Sequence, residues 1–260
     1  MTTALVTGAS AGIGAAFCRE LARTGHHLVL VARNRDSLEA LGADLTSRYG
    51  VHCEVLVADL ANRDDVERVA ERIRTDEFER RGIDLLVNNA GFGIPGAFLE
   101  AEVAEEERAL DVMCRAVLVL SHAAGRTMRQ RGSGAIINVS SVAGFVAMSS
   151  YSAIKAWVTT FSEALATELA GSGVRVTALC PGFTRSEFHQ RANLNMSRLP
   201  DALWLDPDEL VQACLADVRR GRVLSVPGVA YKALTAATSV LPRGVVRRTS
   251  GLVGARRRRG

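Results

Sequence analysis

The sequence predicts an α/β domain: seven parallel strands in one doubly wound sheet, with helices on both faces to make three layers. Three observations carry this. Short apolar runs alternate with longer amphipathic patterns along most of the chain, the order that βαβ units produce. Hydrophobic residues make up 48% and aromatics only 5%, with 23 glycines, a balance suited to a sheet buried on both faces and joined by tight turns. No linker-like stretch divides the 260 residues before the last twenty or so, which implies one core.

The first strand is read at Ala4–Thr7 and runs straight into a glycine-rich turn, Gly8, Ser10, Ala11, Gly12, Ile13 and Gly14. Ala15, Ala16, Cys18, Leu21 and Ala22 then mark the buried face of a helix. A glycine turn entering a helix brings backbone N–H groups and the positive end of the helix dipole against a phosphate. This is the Rossmann-type arrangement for a dinucleotide. The second strand, His27–Ala32, ends in Arg33, with Arg35 close behind. An acid there would take a ribose 2′-hydroxyl; an arginine suits a 2′-phosphate, so NADP(H) is the expected cofactor. The third strand, Cys53–Ala58, leads to Asp59 and Leu60. Asp59 is read either as an acceptor for an adenine amino group or as a helix N-cap.

The fourth strand, Leu85–Asn88, is followed by Asn89, Ala90 and Gly91. The fifth, Ala135–Ser140, ends in two hydroxyls: Ser141 is placed to donate to a substrate oxygen as charge develops on it, and Ser140 to serve a turn or backbone contact. Tyr151 and Lys155 follow at i and i+4 on one helix face. A neighbouring ammonium favours phenolate, so this pair suits general acid/base work, with the phenol expected below its usual pKa. Of 32 basic side chains only Lys155 and Lys232 are lysines. A chain that writes arginine nearly everywhere else has a compact ammonium at this position. Trp157, Phe161, Leu165 and Leu169 continue the helix as a packing stripe.

The sixth strand, Arg175–Leu179, leads into Cys180, Pro181, Gly182, Phe183 and Thr184, a rigid turn with a hydroxyl for a nicotinamide amide. Residues 184–205 have weak periodicity and are expected to form a short helix and loop that holds the substrate at the sheet's carboxyl edge. The seventh strand is read at Val223–Val226. Phe92, Ile94, Phe145 and Met148, then Phe183, Phe188, Leu194, Met196 and Trp204, would make that edge apolar, which points to a hydrophobic ketone or alcohol.

The net charge is +4, but residues 243–260 hold seven arginines and no acid; taking these away leaves residues 1–242 at −3. The body has no basic face for nucleic acid. Residues 1–230 are expected to be the catalytic domain and 231–260 a tail, read as a solvated end, with peripheral contact to an anionic membrane as the second reading. No signal peptide is expected from the strand-like start. The longest uncharged stretch, Gly132 to Ile154, is too polar to span a bilayer. Five scattered cysteines with no CxxC pair suit reduced thiols in a cytoplasmic protein. The GxSxG elbow of a hydrolase is missing, and the histidines form no metal set.

Taken in order, Thr7-Gly8-x3-Gly12-x-Gly14, Asp59-Leu60, Asn88-Asn89-Ala90-Gly91, Ser141, Tyr151-x3-Lys155 and Pro181-Gly182-x-Thr184 resemble the short-chain dehydrogenase/reductase family over roughly residues 3–228. The resemblance implies that Gly8 to Gly14 bind pyrophosphate and that Asn89 to Gly91 support the adenosine side. It implies Ser141, Tyr151 and Lys155 as the catalytic set, with Lys155 also bonding the nicotinamide ribose. Pro181, Gly182 and Thr184 would sit at the nicotinamide. It further implies a homodimer or homotetramer paired through about Glu105–Arg129 and Ser152–Ala170. Two departures stand out. Met113 replaces the asparagine that the family commonly uses to hold a relay water, and the interval from Ser141 to Tyr151 is shorter than usual. The expected activity is hydride transfer between NADP(H) and a carbonyl or alcohol. The alternative is a weakly active or inactive NADP(H)-binding interaction module.

Overall fold

The computed structural model describes residues 2–75, 82–94, 96–186, 188, 200–242 and 244–247. Its strands are β1 (Thr3–Thr7), β2 (His27–Ala32), β3 (Cys53–Val57), β4 (Leu85–Asn88), β5 (Gly134–Val139), β6 (Val174–Leu179) and β7 (Leu224–Ser225). Each lies within a residue or two of the sequence reading, the ordinary uncertainty of element ends. They form one parallel sheet in the order β3-β2-β1-β4-β5-β6-β7. Leu5 pairs with Val29 on one side and Leu86 on the other, so β1 is central. The connection order reverses between β1 and β4, which opens a crevice at their carboxyl ends.

The helices are α1 (Gly12–Arg23), α2 (Arg35–Tyr49), α3 (Arg63–Arg74), α4 (Val103–Leu110), α5 (Ala116–Arg131), α6 (Ser150–Glu168), α7 (Pro207–Arg219) and α8 (Val229–Val240). One face of the sheet packs on α1, α2 and α7 through Phe17, Leu21, Leu38, Leu45, Val211 and Cys214. The other packs on α3 to α6 through Val69, Ile73, Met113, Leu120, Met128 and Ile154. Three layers follow because every central strand is apolar on both sides.

Local chemistry places the helix starts. Asn34 caps α2, accepting from Ser37 N at 2.9 Å, and Gly50 ends it with φ 67°. Asn62 caps α3, accepting from Asp64 N at 2.8 Å, so the cap expected as one reading of Asp59 falls three residues later. Asp206 caps α7 ahead of Pro207. Between α4 and α5, residues Asp111–Arg115 form a π-helical turn that carries Met113.

The chain does not leave the domain at residue 230. Tyr231 and Thr235 on α8 are buried. The part of the arginine-rich end from residue 248 onward lies outside the described residues. Among the described residues no helix is long and apolar enough to cross a membrane.

Candidate active site

A cavity of about 2070 Å³ follows the carboxyl edge of the sheet. Ordinary small-molecule pockets span about 300–1,000 Å³, so this one is unusually long.

At one end the cavity meets Gly8, Ser10, Ala11, Gly12 and Ile13 on the β1–α1 turn. Gly14 lies behind that turn instead. A Cβ there would overlap the Gly8 carbonyl oxygen, so Gly14 serves close packing rather than contact with a ligand. Gly8 (φ +66°) and Gly12 (φ +53°) hold left-handed backbone that a side chain would strain. The Asn89 side chain is committed to this turn, donating to Thr7 O at 2.9 Å and Gly8 O at 3.2 Å. Thr7 Oγ1 in turn accepts from Asn89 N and Ala90 N at 2.9 and 3.0 Å. Asn89 thus shapes the cradle, and Ala90 and Gly91 line it.

Arg33 is exposed on the wall beside Asn34 and Ser37, two residues that the sequence reading missed. Arg35 has a different partner, Glu39 at 3.3 Å, and is not part of the wall. Asp59 and Leu60 line the next stretch; the Asp59 carboxylate accepts from Ala61 N at 3.1 Å and lies 3.6 Å from Arg108 Nη2.

Ser141, Tyr151 and Lys155 share the middle of the cavity. Ser141 Oγ accepts from Ala143 N at 3.1 Å, which starts a single 3₁₀ turn over Val142–Phe145. Gly144 brings that turn onto α6: a Cβ there would be 2.8 Å from the Lys155 carbonyl carbon. This close approach lets the short interval reach Tyr151 without moving Ser141 from the site. Ser140 turns away, bonding Lys155 O and Thr159 Oγ1 at 2.7 Å each.

Lys155 is buried; its Nζ donates to Val139 O at 2.9 Å and lies 5.6 Å from the centre of the Tyr151 ring. Burial pushes its pKa down to about 8. The phenol departs from the sequence expectation. Burial raises Tyr151 above its ordinary value, opposed by a hydrogen bond with Ser141. Met113 packs beside this pair: a Cβ at Gly91 would be 3.1 Å from its Sδ and 3.7 Å from Lys155 Nζ. A thioether thus fills the space beside the lysine.

The start of α6 has no side-chain cap of its own. Ser150 instead donates to the buried Glu106 on α4 at 2.9 Å, a contact that joins residues too far apart to be read from sequence.

Beyond Tyr151 the wall is apolar. Phe92, Ile94, Met148, Phe183 and Phe188 line it; Phe145 and Trp204 do not, and Leu194 and Met196 lie outside the described residues. Pro181, Gly182 and Thr184 line the cavity too, and Thr184 Oγ1 donates to Gly182 O at 3.1 Å. Leu234, Ala237 and Leu241 close the far side from α8 and just after it. The sequence reading placed this stretch in a solvated tail; the fold instead makes it a helix over the cavity.

The sequence pattern of the short chain dehydrogenase family matches residues 2–197, three quarters of this chain. The chain belongs to that family. This dehydrogenase is 35% identical over 213 residues to a 3-oxoacyl-[acyl-carrier-protein] reductase of Synechocystis, covering 80% of this chain and 85% of the relative. Nodulation protein G of a Rhizobium species is 36% identical over 193 residues, 73% of this chain and 76% of that protein. Among solved structures, a short-chain dehydrogenase from Sphingobium yanoikuyae in complex with NADPH superposes with a TM-score of 0.83 at 37% identity, covering 94% and 97% of the two chains. The bulky-bulky ketone specific alcohol dehydrogenase from Comamonas testosteroni gives 0.79 at 33% identity, covering 94% and 96%. The dehydrogenase is thus an oxidoreductase with a seven-stranded Rossmann-type sheet.

Proposed function

We propose that this dehydrogenase is an NADP(H)-dependent enzyme that interconverts a ketone and a secondary alcohol on a bulky, apolar small molecule. One observation carries the reading: a single cavity holds the glycine turn and Arg33 at one end, Ser141, Tyr151 and Lys155 in the middle, and apolar side chains beyond. The donor set fits the dinucleotide. Gly8 and Gly12 leave room for a backbone cradle, Arg33 has no acid partner among the described residues, and Ala90 and Gly91 keep the β4 edge free of bulk. Bound there, the nicotinamide supplies or accepts the hydride.

The protein's own groups do the rest. Ser141 holds the substrate oxygen by donating to it, favouring the charge that grows there. Tyr151 passes its phenolic proton to that oxygen in reduction and takes it back in oxidation. The Lys155 ammonium offsets charge on the phenolate and offers donors toward a ribose. Pro181, Gly182 and Thr184 frame the nicotinamide end, and Asp59 and Leu60 the adenine end. Apolar walls exclude water and orient the remote part of the substrate. The relative named for bulky ketones supports the size class.

The test is NADPH consumption with a panel of alkyl, aryl and diaryl ketones. Tyr151→Phe should lower kcat by about 10²–10⁴-fold and leave the NADPH dissociation constant within about twofold, because it removes only the transferable proton. Tight NADPH binding by the wild type without turnover of any ketone would favour the binding-module reading, which Met113 beside Lys155 makes the specific rival.

A further inference from the structure

Helix α8 divides its side chains between two faces. Tyr231 and Thr235, one turn apart, are buried against the rest of the chain. Leu234, Ala237, Thr238 and Leu241 follow the i, i+3, i+4, i+7 pattern of a single stripe, and all four line the cavity that holds Ser141, Tyr151 and Lys155. At 1.5 Å per residue the stripe is about 10 Å long. Leu234 and Leu241 are each 45% exposed, and a row of exposed apolar side chains inside a cavity marks a groove for an apolar ligand. The one hydroxyl in the row is already engaged, since Thr238 Oγ1 donates to Thr235 O at 2.9 Å. Helix α8 packs on the 3₁₀ turn Val142–Phe145 that follows Ser141, and Val142, Ala143, Val146 and Met148 line the cavity as well. Among the described residues, the charged side chains of the cavity are Arg33, Asp59, Glu100, Glu105, Arg108 and Lys155; none belongs to α8 or to that turn.

We infer that the α8 stripe is the subsite for the remote part of the substrate, and that this part is an uncharged, unbranched hydrocarbon chain. The inference deepens the ketone reading and rests on it for its kinetic readout alone. A charge or a hydrogen-bonding group laid along the stripe would lose its water and gain no partner, which is costly. Methylenes meet carbon there, and each one removed from water adds affinity. Shape makes the second selection. A row one side chain wide, on a helix packed against a turn, is long and narrow. A straight chain covers it from Leu234 to Leu241, whereas a compact cage of equal carbon number touches only part of it and makes fewer close contacts.

The experiment measures NADPH-linked reduction of unbranched methyl ketones from butanone to dodecanone, and of acetyladamantane, a methyl ketone that folds the same number of carbons as dodecanone into a cage. Until the stripe is covered, kcat/KM should rise about two- to fourfold with each added methylene, and dodecanone should exceed acetyladamantane by about tenfold or more. Leu234→Gln, a change at a half-exposed position, should flatten the series and lower the dodecanone value about tenfold. Val229→Ser, on the same helix but 84% exposed and outside the cavity, should leave the series as in wild type. Turnover of acetyladamantane with a flat chain series, or equal losses in the two variants, overturns the inference while the ketone reading stands. If no ketone is reduced, equilibrium dialysis of radiolabelled dodecanone and acetyladamantane decides instead. Tighter binding of the chain, weakened by Leu234→Gln and not by Val229→Ser, upholds the subsite; equal binding of the two ligands overturns it. If Leu234→Gln does not fold, the wild-type series and the comparison with the cage decide by themselves.

Discussion

At Lys155, burial lowers the ammonium's pKa from 10.5 to about 8 while the proposed chemistry needs the charge. Between about pH 8 and the ordinary value the unfolded chain binds a proton that the folded chain lacks, so this group's contribution to stability rises with pH across that window. Activity should move the other way. The kcat/KM for NADPH, which reports the free enzyme, should fall as pH rises through about 8, while the melting-temperature deficit of wild type relative to Lys155→Met narrows. A flat profile from neutrality to beyond that value would remove the lysine from the mechanism. Arg33 gives a second test at this scale. With an arginine instead of an acid at the end of β2, wild type should bind NADPH at least tenfold tighter than NADH, since a charge-assisted contact contributes about 1.5–3 kcal/mol. Arg33→Ala should erase most of that ratio in paired titrations. Equal dissociation constants in wild type would end the NADP(H) assignment.

Elements meet below the site through a buried polar chain. Asn88 Nδ2 on β4 donates to Asn138 Oδ1 on β5 at 2.9 Å and to Ser121 Oγ on α5 at 3.0 Å. Asn138 Nδ2 donates to Ser162 Oγ on α6 at 3.0 Å. All four side chains are at most 3% exposed. The network fixes the relative height of β4, β5, α5 and α6, and so holds β5, which leads into Ser141, against the helix that carries Tyr151. Asn138→Ala would strip partners from Asn88 and Ser162 in a dry interior. It should cost about 2–5 kcal/mol, more than the loss of a single hydrogen bond. Urea unfolding should show a lower midpoint with an unchanged slope. A midpoint within error of wild type would show that the network contributes no net stability.

For the whole molecule, the faces expected to pair subunits coincide with α4, α5 and α6. Leu110 and Leu118 stand 50% and 47% exposed there, and Trp157 stacks on Phe161 at 4.9 Å without being fully covered. Exposed large apolar side chains on helices of one sheet face are the kind of surface that a partner covers. The protein is therefore expected to be a homodimer or homotetramer, and Leu118→Arg should shift it to a smaller species by multi-angle light scattering. A monomeric wild type at micromolar concentration would contradict the assignment.

Much of this architecture follows from local rules that a sequence displays directly. Apolar runs make the strands, glycine at the first βα turn makes the cradle, and an i, i+4 step puts Tyr151 and Lys155 on one face whatever surrounds them. Those features depend on neighbours a few residues apart. Contacts between distant segments decided the rest. Asn89 is committed to the β1 turn, Glu106 anchors the start of α6, and Tyr231 bonds both Phe183 N and Leu203 O. The Tyr151 phenol shows the division most plainly. Its neighbour Lys155 was legible and argued for a lowered pKa, but the depth of burial that raises it is a property of α6 packed against the rest of the fold. Periodicity and spacing are written along the chain, whereas desolvation and partner choice exist only once remote residues share one interior.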